Sequence, residues 1–269
     1  MKKIGIHSVP RSGSSWLGQI FNSSPEVIYK YQPLFSYAFK NYLDEKSSKE
    51  ETDTFFQKIA LTEDEFLDQT YQIKNGNNPE FIKNKQKKVI VYKEVRYHHI
   101  IRNMLEVHPE VKIVGLIRNP LAVINSWLKS PREFRKDLGW NIFEEWRYAP
   151  KKNQNKKEEF YGFEKWKEVT LLFHELLEKF PERFYLVKYN DLLKDTINVV
   201  SDLFKFSGIP LDSQTRNFIK ESKSVDKKDP YAVFKVKNED NDWKTELNKN
   251  IADSIYSESR DHPIFKKYL

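Results

Sequence analysis

The chain has 269 residues, of which 39% are apolar and 32% are charged, and its formal net charge is +7. This length and apolar content are enough to bury a sizeable core in one large domain. The sequence contains no cysteine, which excludes disulfides, thiolate catalysis and zinc–cysteine sites. The positive charge is modest and is spread among acidic residues without a long basic block. It therefore indicates an anionic ligand or partner and does not favour nucleic acid.

The histidines and the start of the chain limit the function further. None of the six histidines stands in a compact ligand spacing such as His-Glu-x-x-His, so we predict no metal site. The sequence shows no signal-peptide pattern and no apolar run long enough to span a bilayer, so we expect a soluble, cytoplasmic protein. It shows no heptad seam and predicts no particular oligomeric state.

The first chemical signal is a Ser- and Gly-rich loop between a predicted strand at 2–7 and a predicted helix at 14–22. The first N–H groups of a helix lack partners and its dipole is positive there. Gly13 lets the backbone approach an anion closely, and Arg11 adds a fixed cation. The hydroxyl groups of Ser12, Ser14 and Ser15 add donors. The loop is predicted to bind a phosphate or sulfate; a serine-capped turn without a ligand is the alternative.

The rest of the chain alternates strands and helices. Further strands are predicted at 27–31, 88–92, 112–117 and 184–189, and helices at 36–45, 97–107, 120–129, 162–180, 197–207, 213–221 and about 247–257. This alternation predicts an α/β fold with a mainly parallel central sheet flanked by helices. We interpret residues 1–269 as a single domain, with an inserted helical or lid region at about 41–86. Residues 34–86 and 130–160 do not fit the sheet pattern and are expected to face the acceptor.

Three charged residues follow predicted strands and should meet at one edge of the sheet, because ligands bind beyond the carboxyl ends of parallel strands. These are Arg11, Glu94 and Arg118. A nucleotide-binding P-loop would read Gly-x-x-x-x-Gly-Lys-Ser/Thr, and this loop places its cation before Gly13 instead. Two cationic strand ends and at most one acid favour direct binding of a polyanion without a metal ion.

Four motifs resemble those of sulfotransferases and occur in the family's order over residues 4–247. Residues 10–17, Pro-Arg-Ser-Gly-Ser-Ser-Trp-Leu, look like the loop that holds the 5′-phosphosulfate. Residues 117–126 resemble the second motif, Arg-(Asp/Asn)-Pro with a serine eight residues after the arginine, which holds the 3′-phosphate. Residues 189–192 are similar to Tyr-Glu-Asp-Leu. Residues 243–244 resemble the Trp-Lys/Arg of the loop that covers the cofactor.

The resemblance implies that the cofactor is 3′-phosphoadenosine 5′-phosphosulfate (PAPS), with 3′,5′-bisphosphoadenosine (PAP) as its product. The loop residues Arg11, Ser12, Gly13, Ser14 and Ser15 would bind the 5′-phosphate, with Arg11 also meeting charge on the bridging oxygen. Arg118 and Ser126 would bind the 3′-phosphate. By the same resemblance, Trp16 and Tyr189 would contact the adenine, and Trp243 would help to cover the cofactor.

The resemblance leans towards the carbohydrate branch of the family, because residues 31–34, Tyr-Gln-Pro-Leu, are similar to its Tyr-Glu-Pro-Leu. Gln32 departs from that glutamate. The implied reaction is transfer of a sulfuryl group to a hydroxyl of a carbohydrate or glycolipid, with Arg11 and Glu94 as catalytic residues. Glu94 stands where the family places its general base, and His98 and His99 are the alternatives.

Two other functions stay open from the sequence alone. One is a small-molecule kinase or nucleotidase with a degenerate P-loop, which would depend on a metal ion. The other is a non-catalytic protein that binds sulfated or phosphorylated glycans and transfers nothing.

Overall fold

A parallel sheet of five strands forms the centre of the computed structural model, which describes residues 1–227, 232–234, 236 and 239–269. The strands are β1 (Lys2–His7), β2 (Val27–Tyr31), β3 (Val89–Glu94), β4 (Val111–Ile117) and β5 (Phe184–Lys188). They lie in the order β2-β3-β1-β4-β5, and every neighbouring pair is parallel. The α/β fold with a parallel central sheet is therefore confirmed.

Helices flank the sheet and alternate with its strands. They are α1 (Ser14–Asn22), α2 (Lys49–Leu61), α3 (Thr70–Lys74), α4 (Ile101–Val107), α5 (Pro120–Leu128), α6 (Ile142–Glu145), α7 (Pro150–Asn153), α8 (Phe163–Lys179), α9 (Tyr189–Lys194), α10 (Thr196–Ser207), α11 (Ser213–Ser224), α12 (Trp243–Glu246) and α13 (Lys249–Asp261). Short 3₁₀ turns occur at Pro33–Phe35, His98–Ile100, Lys136–Leu138 and Phe265–Tyr268.

The two faces of the sheet are covered by two separate apolar clusters. Ile4 and Ile6 of β1 and Val91 of β3 pack towards α1, α9, α10 and α11. Tyr92 and Ile113 point to the other face, where α2, α4, α5 and α8 lie. Side chains alternate between faces along each strand, so burial on both faces explains the continuous apolar runs in the sequence.

The register aligns the carboxyl ends of the strands at one edge. His7 of β1 pairs with Glu94 of β3 and with Gly115 of β4, and Ile117 pairs with Lys188 of β5. The loops that follow these strands therefore open on the same side of the sheet. Helix α5 begins as predicted there, with Pro120 in its first turn and the side chain of Asn119 accepting a hydrogen bond from the Leu121 N–H.

One segment differs from the sequence interpretation. Residues 36–45 do not form a helix: Asn41 has a left-handed φ of 56°, and Ser36 Oγ accepts from the Phe39 N–H. Such local side-chain bonds compete with helical ones. In the 41–86 region, Phe55 and Phe56 of α2 each pack at 5.6 Å against the ring of Tyr92, so this helix contributes to the main core.

Within the described ranges, no helix is both long enough and apolar enough to cross a membrane.

Candidate active site

The loop after β1 has a backbone shaped by two left-handed residues. Arg11 has a φ of 68° and Gly13 a φ of 87°. A Cβ on Gly13 would stand 2.4 Å from Cε2 of Tyr189, so the tyrosine ring lies directly against this glycine. The loop leads into α1, and the hydroxyl of Ser12 is buried with no hydrogen-bond partner among the described residues. A buried donor without a partner beside a helix N-terminus suits an anion.

The Arg11 side chain lies between α5 and the turn that follows it. Its Nε donates to Ser126 Oγ at 3.1 Å, and its Nη1 lies 3.6 Å from Glu133 Oε1. Arg11 and Ser126 were both predicted to bind the cofactor, and the structure brings them into contact. Glu133 was not singled out from the sequence, although it lies in the 130–160 segment.

Arg118, at the end of β4, is oriented from several sides. Its Nη1 donates to the Arg11 carbonyl at 2.6 Å, and its Nε and Nη2 donate to Asp240 at 2.7 and 2.6 Å. Its guanidinium lies 5.0 Å from the Tyr189 ring centroid. Although burial lowers the pKa of Arg118, its hydrogen bonds to Asp240 raise it above the ordinary value. The donors expected to bind a phosphate thus hold a carboxylate of the same chain.

A cleft of about 780 Å³ opens at this edge of the sheet. Eight of the predicted cofactor residues line it: Arg11, Gly13, Ser14, Ser15, Trp16, Arg118, Ser126 and Tyr189. The indole N–H of Trp16 is fixed by Ser222 Oγ at 2.9 Å. Ser12 is buried beneath the loop. Trp243 does not line the cleft: it packs against α5 and the core, while its neighbour Asp242 faces the cleft.

The other part of the cleft wall comes from β3 and from the segments on either side of it. Aromatic side chains here include Tyr31, Phe35 and Phe66, which form ring contacts at 5.4 and 6.1 Å. The charged lining residues are Lys93, Arg96, Arg132, Glu133 and Lys152. Phe35 and Phe66 belong to the 34–86 segment, and the last three charged residues belong to 130–160. Both segments expected to face an acceptor therefore contribute to the cleft.

The sulfotransferase domain family matches residues 2–260 of this sequence. The chain belongs to this family. Its members transfer sulfuryl groups, and the chain is accordingly an enzyme of the sulfotransferase class. A search of curated proteins found no match.

Solved structures with the same fold agree with this assignment. Mouse sulfotransferase SULT7A1 complexed with PAP is 15% identical with a TM-score of 0.58, covering 99% of this chain and 89% of that one. Retinol dehydratase in complex with retinol and PAP is 14% identical with a TM-score of 0.53, covering 95% and 79%. A sulfotransferase from Alicyclobacillus acidocaldarius is 14% identical with a TM-score of 0.51, covering 81% and 90%. These neighbours do not favour the carbohydrate branch.

Glu94 of this sulfotransferase does not line the cleft. It is fully buried, and its Oε1 accepts a hydrogen bond from the Leu34 N–H at 2.7 Å. Its Oε2 has no partner among the described residues, and burial raises its pKa to about 8. Alternation along β3 explains the placement: Glu94 shares the face of Tyr92, whereas Lys93 shares the face of Val91 and α1. The strand therefore presents Lys93 to the cleft.

Lys93 is a buried amine at the cleft wall. Its Nζ lies 4.2 Å from the centroid of the Tyr31 ring, and the residue is 1% exposed. Burial lowers its pKa to about 7. A lysine in such a site can change its charge near neutral pH, and as a cation it can stabilise a developing negative charge.

The two histidines that were alternatives to Glu94 do not line the cleft either. His98 is fully buried, with its Nδ1 at 3.1 Å from Nδ1 of His7, which in turn contacts the Tyr92 hydroxyl at 2.9 Å. Burial lowers the pKa of His98 well below its ordinary value. His99 lies 3.7 Å from Glu45. In the part of the chain that the structure describes, no three acidic or histidine side chains cluster as metal ligands.

Proposed function

We propose that this sulfotransferase moves the sulfuryl group of PAPS to a hydroxyl of a carbohydrate acceptor, by in-line transfer and without a metal ion. One observation carries the proposal. Arg11 and Arg118, from the ends of neighbouring strands, face a single cleft at the N-terminus of α1. Two fixed cations beside a helix N-terminus are suited to a ligand with two separate phosphate groups.

The residues of the loop fit the 5′ end of PAPS. The N-terminus of α1 and the hydroxyls of Ser14 and Ser15 line a pocket for the 5′-phosphate. When bound, PAPS supplies an activated sulfuryl group. Arg11 stabilises the negative charge that develops on the leaving phosphate oxygen, by electrostatics and not by giving up a proton.

Residues in contact with this loop suit the 3′-phosphate and the adenine. Arg118 presents a planar fork of donors that suits a phosphate, and Ser126 adds a hydroxyl. Trp16 and Tyr189 line the same cleft and offer aromatic rings for the base. The contact between Arg11 Nε and Ser126 Oγ joins the two phosphate sites, so one change at Arg11 should affect both ends.

The acceptor end of the cleft supports a carbohydrate. Phe35 and Phe66 remain 43% and 40% exposed, and Tyr31 packs against Phe66. Polar groups border these rings: Arg96 lies 4.0 Å over Phe35 and donates to Gln32 at 3.1 Å. Exposed aromatic rings with fixed polar groups beside them suit a sugar, which has apolar C–H faces and hydroxyl edges.

A lipophilic alcohol is the second candidate acceptor. The same aromatic rings, together with Val95, give the cleft an apolar surface. The neighbour retinol dehydratase has been solved with retinol and with androsterone, which are apolar alcohols. A lipophilic alcohol would use the rings and would need no hydrogen bond from Arg96, which is already paired with Gln32 and Glu159.

Binding of PAP tests the cofactor site. Without magnesium, PAP should raise the melting temperature of the wild-type protein, and Arg118→Ala should abolish the shift. Arg102→Ala, which changes an exposed arginine paired with Glu175 on the surface, is the matched control and should keep the shift. A shift that requires ATP and magnesium would instead indicate a kinase or nucleotidase.

An acceptor panel tests the reaction. Labelled PAPS is incubated with neutral and anionic oligosaccharides, glycolipids, retinol and androsterone, and transferred sulfate is measured. Transfer to sugars supports the proposal, and transfer to the apolar alcohols alone would replace it with the second candidate. Binding of PAP without transfer to any member would indicate a binding protein.

A further inference from the structure

The reaction needs a group that removes the proton of the acceptor hydroxyl, and the two predictions for it, Glu94 and the histidine pair, lie outside the cleft. We infer that Glu133 is the general base. This inference rests on the proposed function. It starts from the charged residues of the cleft wall, where Glu133 is the acidic side chain beside Arg11.

The position of Glu133 is set by a rigid support. The turn after α5 is closed by hydrogen bonds from the N–H groups of Glu133 and Phe134 to the Ser130 carbonyl, at 3.0 and 2.7 Å. The Phe134 ring is buried against Trp127 of α5, with the ring centroids 5.6 Å apart. Because Phe134 is anchored in the core, the backbone at Glu133 is held in place. A catalytic side chain requires such fixed positioning.

The two carboxylate oxygens of Glu133 have different surroundings. Oε1 lies 3.6 Å from Nη1 of Arg11, the residue proposed to stabilise the leaving oxygen. Oε2 is buried and has no hydrogen-bond partner among the described residues. A buried carboxylate oxygen without a partner is unfavourable unless a ligand donates to it. The hydroxyl of an acceptor is such a donor.

Other ionisable side chains of the cleft wall interact with the charge of Glu133. Burial raises the pKa of Tyr161, and the negative charge of Glu133 raises it further. This charge also raises the pKa values of Lys93 and Lys152, which burial lowers. Lys93 is a donor in its charged form and suits the transferring sulfuryl oxygens, whereas Glu133 can accept a proton.

The acceptor oxygen forms a bond to sulfur while the bond between sulfur and the bridging oxygen breaks, and the bonding electron pair stays on the 5′-phosphate. The hydroxyl proton moves to Glu133 and is then released to water. No oxidant, reductant or further reactant is needed.

The decisive variant is Glu133→Gln, which removes the basic oxygen and keeps the shape. We expect kcat to fall by about 100-fold or more, within the usual range for a general base, while the PAP-induced rise in melting temperature stays. Glu133→Asp keeps a carboxylate at this position and should retain more activity than Glu133→Gln. Glu144→Gln, an exposed residue from the same segment that pairs with Lys151, is the matched control and should behave as wild type.

A different result would overturn the inference. If Glu133 only neutralises Arg11, Glu133→Gln will bind PAP more tightly and will keep the wild-type kcat. Circular dichroism and the melting temperature without ligand show whether each variant folds, and Glu133→Asp provides the kcat comparison if the glutamine variant does not fold. If the wild-type protein transfers sulfate to no acceptor, the proposed function fails; if wild type and Glu133→Gln transfer equally, only this inference fails.

Discussion

The carboxylate of Asp240 occupies the donors of Arg118 that the proposed function assigns to a phosphate. The two groups form a bidentate pair at 2.7 and 2.6 Å, and their side chains are only 2% and 11% exposed. A phosphate can use the same two donors only after Asp240 has left them. We therefore predict that Asp240→Asn strengthens the binding of PAP.

The size of the effect follows from this geometry. A hydrogen bond to a charged group contributes roughly 1.5–3 kcal/mol to stability. In the wild type, the carboxylate that PAP displaces regains its hydration. In the variant, the amide still accepts one hydrogen bond, which PAP must also break. Most of the roughly 1.5–3 kcal/mol difference in PAP binding is therefore offset. A net gain of about 1.4 kcal/mol corresponds to a tenfold lower Kd. Without ligand the variant should melt at a lower temperature, because a buried guanidinium has lost its counter-ion.

Isothermal titration calorimetry with PAP measures this change directly. Glu239→Gln removes an exposed charge next to Asp240 and should bind PAP as the wild type does. An Asp240→Asn protein that binds PAP with unchanged or weaker affinity would refute the competition. It would show instead that Asp240 holds Arg118 in the orientation that binds the ligand.

Two further predictions concern stability. Burial raises the pKa of Glu94 from its ordinary 4.5 to about 8. The protonated side chain therefore stabilises the folded protein fully below about pH 4.5, and this stabilisation is lost as pH rises through about 8. Glu94→Gln should flatten that decline, which denaturant unfolding across this pH range would detect; an unchanged slope would contradict it. Gly13→Ala should lower the unfolding free energy by about 1–3 kcal/mol, because it adds strain at φ 87° and pushes against Tyr189. Gly139→Ala is the control, because Gly139 has a φ of 72° and no atom lies within 4 Å of the added Cβ, so that variant adds backbone strain alone. Equal losses of unfolding free energy in both variants would disprove the contact with Tyr189.

The sheet and the loop between β1 and α1 could be predicted because their signals are local. Buried strands give continuous apolar runs, as in β3 and β4, and Asn119-Pro120 marks the start of α5. The helix predicted at 36–45 was wrong for an equally local reason. Spaced apolar residues there, such as Phe39 and Leu43, are buried in irregular structure, and the left-handed Asn41 interrupts any helix.

Which residue at the end of β3 lines the cleft was harder to predict, because it depends on which face of the strand that residue occupies. Glu94 and Lys93 are neighbours at the end of β3, and their side chains point to opposite faces of the sheet. A shift of one residue along the strand therefore moves a side chain from the cleft to the core. The contact between Asp240 and Arg118 could not be predicted for another reason. The two residues are 122 positions apart, and nothing in the sequence around Asp240 indicates the contact. The segment 130–160 was recognised as part of the cleft, but Glu133 was not distinguished among its many charges.

The two arginines of the cleft each lie opposite a carboxylate from a later part of the chain. Two guanidinium groups near the positive end of a helix repel one another, and these carboxylates relieve the repulsion when no ligand is bound. Their geometries differ, however. Asp240 takes two donors of Arg118 at hydrogen-bond distance and competes with a phosphate, whereas Glu133 makes one longer contact of 3.6 Å with Arg11. The same change from acid to amide should therefore tighten PAP binding at Asp240 and slow transfer at Glu133. An identical response at both positions would mean that the two carboxylates are counter-ions and nothing more.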